Sequence, residues 1–153
     1  GIIRWVLRGA VPIVFGWVGD FDWLFSEELL VLLERGVIPV LAPLSSDGSG
    51  QLLNTNADSI AAHVAIALAK NTSFQVNLNL CFDLEGVMID GKLCEVFNPQ
   101  DFMLAKKNGK VSGGMIPKLD LGFKAVQAGV RHVRIVHPKD LYTQTMGTYL
   151  RLD

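Results

Sequence analysis

A polar turn that runs directly into a long apolar helix is the feature that most constrains this chain. The segment 50–58 brings the side-chain oxygens of Asn54, Asn56 and Asp58 within five residues. The segment that follows, 59–70, repeats apolar residues at spacings of four, which predicts a helix. One short polar residue is enough to cap a helix, because its oxygen accepts hydrogen bonds from free N–H groups. The turn therefore indicates either simple capping or the holding of a polar ligand.

Helical and strand patterns alternate along the rest of the chain. Helices are predicted at 26–35, at 99–107 with Asn98 as the cap, and at 116–128, and strands at 37–41, 74–80, 132–136 and 147–150, with an edge strand and turn at 11–20. This alternation is typical of an α/β domain, so we expect a three-layer α/β/α fold with a largely parallel sheet. Without repeats or low-complexity segments, residues 1–153 are predicted to form a single domain.

Charge and cysteine usage narrow the class of protein. The net charge of −1 argues against nucleic acid or an anionic membrane surface as the main partner. Cys81 and Cys94 form no CxxC pair, so we expect no disulfide framework and a cytoplasmic location. The apolar run at 9–19 is interrupted by Pro12 and falls short of the roughly 20 residues that span a bilayer, so no membrane segment is expected.

Ligands of open α/β sheets bind where the carboxyl ends of the strands meet helix N-termini. We expect three loops to converge there: the Asn54 to Asp58 turn, the Asp83 to Met88 loop and the glycine-containing Lys110 to Lys118 loop. Lys118 lies in the first turn of a predicted helix, where a cation opposes the helix dipole at a cost of about 0.3 to 1 kcal/mol. A bound anion would offset that cost, whereas the alternative is a lysine that simply extends into water. No GxxxxGK[ST] or GxGxxG nucleotide motif is present.

Four blocks of the sequence resemble a known family. They are VIPVLAP at 37–43, GQLLNTNAD at 50–58, DLEGV at 83–87 and GMIPK at 114–118. In order and separation they are similar to the acetylglutamate kinases of the amino-acid kinase family, and the Gly147-Thr148 pair is similar to that family's closing strand. The NxNAD and GGMIPK blocks are specific in combination. The Cys-Phe-Asp sequence before the third block is similar to Bacteroidetes-type members.

The resemblance implies roles for individual residues. Asn54 matches the asparagine that binds the amino-acid substrate, and Asp58 matches the aspartate that organises the catalytic lysines. Lys118 matches the lysine that neutralises the nucleotide phosphates in the transition state. The residues that match the nucleotide-binding stretches are Asp83, Leu84, Glu85, Gly86, Val87, Met88, Lys110, Val111 and Ser112. No protein ligand for a metal is implied.

The resemblance also implies a reaction and its partners. Members transfer a phosphoryl group from ATP, with Mg²⁺, to the side-chain carboxylate of N-acetyl-L-glutamate or N-succinylglutamate in arginine biosynthesis. A cytoplasmic enzyme that is a homo-oligomer at full length is expected. In phosphoryl transfer the protein mainly positions groups and stabilises charge, which suits lysines and backbone N–H groups.

The chain departs from the family pattern at its beginning. The family's first-strand lysine and glycines, its glycine-rich substrate loop and its substrate-binding arginine have no match here. The chain is therefore expected to be the C-terminal, nucleotide-binding portion, without the N-terminal substrate-binding half and incomplete for catalysis. The alternative is a non-catalytic nucleotide-binding or regulatory module of the same fold. A related kinase for aspartate or carbamate is disfavoured by the NxNAD block.

Overall fold

In this computed structural model, the structure describes residues 2–8, 11–20, 24, 26–71 and 74–153. The chain divides into two compact units, Gly1–Val64 and Ala65–Asp153. The helices are α1 (Ser26–Glu34), α2 (Ala57–Asn71), α3 (Pro99–Lys107) and α4 (Met115–Gln127). The strands are β1 (Ile2–Arg8), β2 (Val11–Asp20), β3 (Leu44–Ser46), β4 (Leu52–Thr55), β5 (Asn77–Cys81), β6 (Met88–Ile89), β7 (Lys92–Leu93), β8 (Val96–Phe97), β9 (His132–Val136) and β10 (Thr148–Leu150).

The first unit contains a four-stranded sheet in the order β1-β2-β4-β3. Strands β1 and β2 are antiparallel, β2 and β4 are parallel, and β3 and β4 are antiparallel. The alternation along β4 buries Leu53 completely and turns Asn54 outward, as the two-residue period of a strand requires. Helix α2 begins two residues after β4 ends, so the carboxyl end of this strand and the helix N-terminus are adjacent.

Two expectations for the first unit are wrong. Residues 37–41 form no strand, and Ile38 and Val40 are 86% and 92% exposed instead of buried. Pro39 lacks the N–H that a strand ladder needs, which accounts for the failure of the apolar pattern. The segment 11–20 is strand throughout and pairs on both sides, with β1 and with β4, so it is not an edge strand.

The second unit contains a four-stranded sheet in the order β5-β9-β10-β8 and the small β6–β7 hairpin. Strands β5 and β9 are parallel in register from Asn77 opposite His132 to Cys81 opposite Val136. The carboxyl ends of these two strands therefore lie side by side, where the loops that follow them begin. Strand β10 is antiparallel to β9 and parallel to β8.

The α/β class is confirmed, with mixed sheets in the part of the chain that the structure describes. The first unit departs from a largely parallel sheet at β1–β2 and β3–β4, and the second unit departs from it after β9. The chain returns to β10 through residues 137–147, which contain only the short 3₁₀ helix Pro138–Asp140. A parallel return needs a crossover of a dozen or more residues, usually a helix, so this shorter connection gives an antiparallel neighbour.

Helix α4 forms the core of the second unit together with β9 and β10. Its Leu119 and Ala125 are completely buried, as is Ile135 of β9. The predicted helices at 99–107 and 116–128 and the strand at 132–136 are confirmed within a residue, and Asn98 caps α3 by accepting from the N–H groups of Gln100 and Asp101.

Arg134 of β9 is a buried cation, only 5% exposed. Its Nε donates to Oδ1 of Asn79 on β5 at 3.0 Å, and its guanidinium lies 5.7 Å from the ring centroid of Tyr149. Its two terminal nitrogens donate to the carbonyl oxygens of Leu141, Thr143 and Met146. One side chain thus binds three carbonyls of the 137–147 connection, which has no regular secondary structure over most of its length.

Replacing Arg134 by Met is expected to lower the free energy of unfolding by about 2 to 4 kcal/mol, because the carbonyls of Leu141 and Met146 lose their side-chain donor and the Thr143 carbonyl keeps only the Met146 N–H. The matched control is Arg131→Met just before the same strand, where the side chain is exposed and the expected change is within about 0.5 kcal/mol. Urea unfolding measures both. Equal midpoints for the two variants would contradict this account of the connection.

Candidate functional site

The Lys118 ammonium lies at the carboxyl end of strand β5. The side chain belongs to the first turn of α4 and is 5% exposed. Its Nζ donates to the carbonyl oxygen of Cys81, the last residue of β5, at 3.1 Å. It also lies 5.7 Å from the ring centroid of Phe82. The Phe82 N–H donates to the carbonyl oxygen of Val136, so the parallel pair β5–β9 ends beside this lysine.

This position rules out the alternative of a lysine extended into water. An ammonium is strongly hydrated, and burying one is costly unless polar partners replace the water. The Cys81 carbonyl and the face of the Phe82 ring supply part of that replacement. The arrangement sets a positive charge at the edge of the sheet where open α/β folds bind ligands.

The loop that follows β5 has an anchored stem and an exposed tip. Asp83, Leu84 and Glu85 are exposed, whereas Gly86 and Val87 are buried and Met88 is half-buried. The Val87 N–H donates to Oγ1 of Thr148 at 2.7 Å, and its carbonyl accepts from the Cys94 N–H at 2.9 Å. Because both polar groups of the Val87 backbone are engaged, the exposed tip projects from a fixed base.

The Lys110 to Ser112 stretch is connected to the end of this loop. Lys110 forms an ion pair with the carboxylate of Asp90, which lies two residues beyond Met88. Val111 is buried at 5% exposure, and Ser112 is exposed. The two stretches predicted to bind nucleotide therefore meet in the second unit.

A cavity of about 350 Å³ lies beside helix α3 and strand β8, and Lys110 is the predicted nucleotide-binding residue in its lining. It is lined by Ile89, Cys94, Val96, Phe97, Asp101, Leu104, Ala105, Asn108 and Lys110. Burial raises the pKa of the Cys94 thiol, and the Asp101 carboxylate raises it further. An apolar lining with a few polar groups is typical of small-molecule sites, and the volume lies within their usual range of about 300 to 1,000 Å³.

The Asn54 to Asp58 turn belongs to the first unit, and its three polar side chains lie on strand β4, at the helix cap and in helix α2. Asn56 is the helix cap, since its Oδ1 accepts from the Ser59 N–H at 3.1 Å. Asn54 is exposed on strand β4, and Asp58 is half-exposed in the first turn of α2. Capping therefore accounts for Asn56.

Further features of the described residues include a second cavity, which borders the Asn54 to Asp58 turn at Ala57. This apolar cavity of about 230 Å³ in the first unit is lined by Pro39, Leu41, Pro43, Ala57, Ile60, Ala61 and Val64, none of them a predicted site residue. Within the ranges that the structure describes, no three His, Cys, Asp or Glu side chains are grouped to hold a metal ion. The helices in those ranges are all too short or too polar to cross a bilayer.

Three residues around the site were missed by sequence reasoning: Asp90, Gly91 and Thr148. Asp90 and Gly91 form the turn of the β6–β7 hairpin, with φ of 51° and 77°. An Asp-Gly pair between short strands is a known signal for such a turn, so this hairpin was predictable. Thr148 acts on the Val87 loop through a contact 61 residues away in sequence, for which a single sequence carries no signal.

Comparison with known proteins supports the resemblance. The pattern of the amino acid kinase family matches residues 3–137. The acetylglutamate kinase of Cytophaga hutchinsonii is 41% identical over 145 residues, which cover 89% of this chain and 54% of that protein. The acetylglutamate kinase of Phocaeicola vulgatus is 41% identical over 138 residues, covering 88% of this chain and 53% of that protein. The chain thus spans about half the length of these curated relatives.

Solved structures agree on the fold. The smu.665 protein of Streptococcus mutans UA159 superposes with a TM-score of 0.78 at 30% identity, covering 99% of this chain and 57% of that one. N-acetylglutamate synthase from Neisseria gonorrhoeae, complexed with coenzyme A and L-arginine, gives a TM-score of 0.76 at 20% identity, covering 99% and 37%. The match over residues 3–137 and the likeness in fold lead to one conclusion: the chain belongs to the amino acid kinase family.

Proposed function

We propose that this chain is the nucleotide-binding portion of an acetylglutamate kinase. The complete enzyme transfers a phosphoryl group from ATP to the side-chain carboxylate of N-acetyl-L-glutamate, or of N-succinylglutamate, in arginine biosynthesis. The observation that carries the proposal is the Lys118 ammonium, buried at the carboxyl end of β5. Relatives of the chain at about 40% identity are acetylglutamate kinases, which supports the choice of acceptor.

Lys118 suits the electrostatic demands of phosphoryl transfer. In that reaction, charge spreads over the equatorial oxygens of the moving group, and preorganised cations stabilise it. A lysine that already lies in a poorly hydrated position interacts with phosphate oxygens more strongly than an exposed one. No general base is required, because the acceptor carboxylate is ionised at neutral pH. We assign Lys118 the task of neutralising the nucleotide phosphates.

The adenine nucleotide is assigned to the remaining groups of the second unit. The exposed tip of the Asp83 to Met88 loop and the Lys110 to Ser112 stretch hold it, with the neighbouring cavity large enough for a base. Mg²⁺ is taken up with ATP, since this ion in kinase sites is bound largely by phosphate oxygens and water, with one or two carboxylates. When bound, it supplies further positive charge to the phosphates.

The first unit is assigned to the acceptor side by its match to the family pattern. Asn54, exposed at the carboxyl end of β4, presents an amide that can hydrogen-bond the N-acylated glutamate. Asp58 in the first turn of α2 is assigned to organising the catalytic lysines. The proposal includes a cytoplasmic protein that is a homo-oligomer at full length.

A non-catalytic nucleotide-binding module is the second candidate function. It is favoured by the fact that the proposed nucleotide contacts all lie within one compact unit, Ala65–Asp153. Binding alone would require only that unit. Formation of ADP that depends on N-acetyl-L-glutamate, by the full-length protein, separates the enzyme from the module.

Replacing Lys118 by Met is expected to weaken binding of Mg·ATP by roughly tenfold to hundredfold, the equivalent of one charge-assisted hydrogen bond. The matched control is Lys124→Met on the same helix, whose side chain is exposed and whose affinity should stay within about twofold of wild type. Isothermal titration calorimetry of this chain measures the affinity. Equal affinities for the two variants would remove Lys118 from the phosphate site, and no binding by the wild type at millimolar ATP would refute the nucleotide assignment.

Alkylation of Cys94 is expected to be slow at pH 8 and to accelerate as pH rises. The thiolate is the reactive form, and the raised pKa of Cys94 reduces its fraction at any given pH. Asp101→Asn removes one of the causes, so it should lower that pKa and speed the reaction at pH 8. Iodoacetamide labelling followed by mass spectrometry measures the rate, with the exposed Cys81 as the internal control for the Asp101 variant.

The same measurement tests the position of the base. If the nucleotide occupies the cavity that Cys94 lines, then Mg·ATP should slow labelling of this residue several-fold. An unchanged rate at saturating Mg·ATP would show that the cavity stays open when nucleotide binds, and the base would then have to be placed elsewhere.

A further inference from the structure

The hydroxyl of Thr148 joins three segments that are distant in sequence. The residue opens strand β10 and is completely buried. Its Oγ1 accepts from the Val87 N–H at 2.7 Å and donates to the carbonyl oxygen of Cys94 at 2.6 Å. The three residues come from the loop after β5, from the segment after β7 and from the last strand. A single hydroxyl, using its donor and one acceptor position, therefore fastens the loop to the sheet.

Glycines beside this hydroxyl allow neighbouring segments to lie close to it. A Cβ atom at Gly86 would lie 2.5 Å from Oγ1 of Thr148 and 2.7 Å from Cδ1 of Leu93, so only glycine fits. At Gly147 a Cβ atom would lie 2.6 Å from the carbonyl oxygen of Ile135. Glycine thus allows the loop to lie directly on the hydroxyl and allows β10 to lie directly on β9.

We propose that Thr148 is a positioning residue for nucleotide binding. Its hydroxyl holds the Val87 peptide, and through it sets the position of the exposed Asp83 to Glu85 tip. This inference rests on the proposed function, because it takes that tip as the part of the loop that contacts the nucleotide. A loop that is already ordered before binding loses less entropy when the ligand arrives, so its anchor contributes to affinity without touching the ligand.

The hydroxyl, and not the volume of the side chain, carries this role. Thr148→Val keeps the shape but leaves the Val87 N–H and the Cys94 carbonyl without this partner in a buried position. These two backbone groups regain a partner only if the loop moves or if water enters beside it. Thr148→Ser keeps both hydrogen bonds and loses only a methyl group. The pair of variants separates the hydrogen bonds from the packing.

The test is the affinity of this chain for Mg·ADP, measured by calorimetry at a temperature where every variant is folded. Thr148→Val should bind roughly threefold to tenfold more weakly, the effect of losing one or two hydrogen bonds, and Thr148→Ser should stay within about twofold of wild type. The control Val130→Ala removes a buried apolar side chain of the same unit. It should lower the unfolding midpoint and leave affinity unchanged. Hydrogen exchange at the Val87 amide should accelerate in Thr148→Val alone.

Each outcome decides the matter. Wild-type affinity in Thr148→Val, with faster exchange at Val87, would overturn the inference while leaving the proposed function intact. An equal loss of affinity in Val130→Ala would overturn it as well, because the effect would then follow stability. Absence of Mg·ADP binding by the wild type would refute the proposed function and the inference together.

If Thr148→Val does not fold, Gly86→Ala provides a second test, because its Cβ displaces the loop from the Thr148 hydroxyl. This variant should weaken binding similarly. Wild-type affinity in Gly86→Ala would overturn the inference.

Discussion

The hydrogen bond between the Lys118 ammonium and the Cys81 carbonyl is the interaction on which the proposed phosphate site of the second unit depends. It lies at the carboxyl end of β5. A buried ammonium must replace its water with protein dipoles, so it fixes the N-terminus of α4 relative to the end of β5. The packing of Leu119 and its neighbours against β9 holds the helix in that position. The parallel pairing of β5 and β9 in turn places the end of β5 beside the loops that follow both strands. The packing of α4 against β9 therefore also determines where the Lys118 charge lies.

The loops around that edge share one construction, a fixed base that carries an exposed segment. The Val87 peptide is held on both sides while Asp83 to Glu85 remain exposed. The Lys110 ion pair connects the second stretch to the end of the first. Arg134 orders the connection that follows β9 through backbone carbonyls, which makes a short irregular segment possible between two strands. Such edges combine the rigidity needed for positioning with polar groups that face a ligand.

The parts of this structure that the sequence predicted are those determined by signals within a few residues, such as helix caps and apolar runs. The helix from Pro99 and the strand His132–Val136 were predicted, because caps and apolar runs act over a few residues. The prediction of a strand at 37–41 was wrong. An apolar pattern does not show whether a segment that lacks an N–H at Pro39 pairs with a neighbouring strand. Asn54 was placed in a turn and lies on a strand. Thr148 could not be predicted as an anchor, because its partner is distant in sequence. The roles assigned to the site residues stay predictions.

The most direct test uses an ATP analogue whose γ-phosphate carries an acyl group, which a lysine next to the phosphates attacks as ATP leaves. Mass spectrometry then identifies the acylated residue. We expect modification of Lys118, suppressed by an excess of unlabelled ATP, although this residue is only 5% exposed. Labelling that follows exposure instead, at Lys106 and Lys107 of α3 without competition by ATP, would contradict the claim that the buried ammonium at the end of β5 receives the nucleotide phosphates.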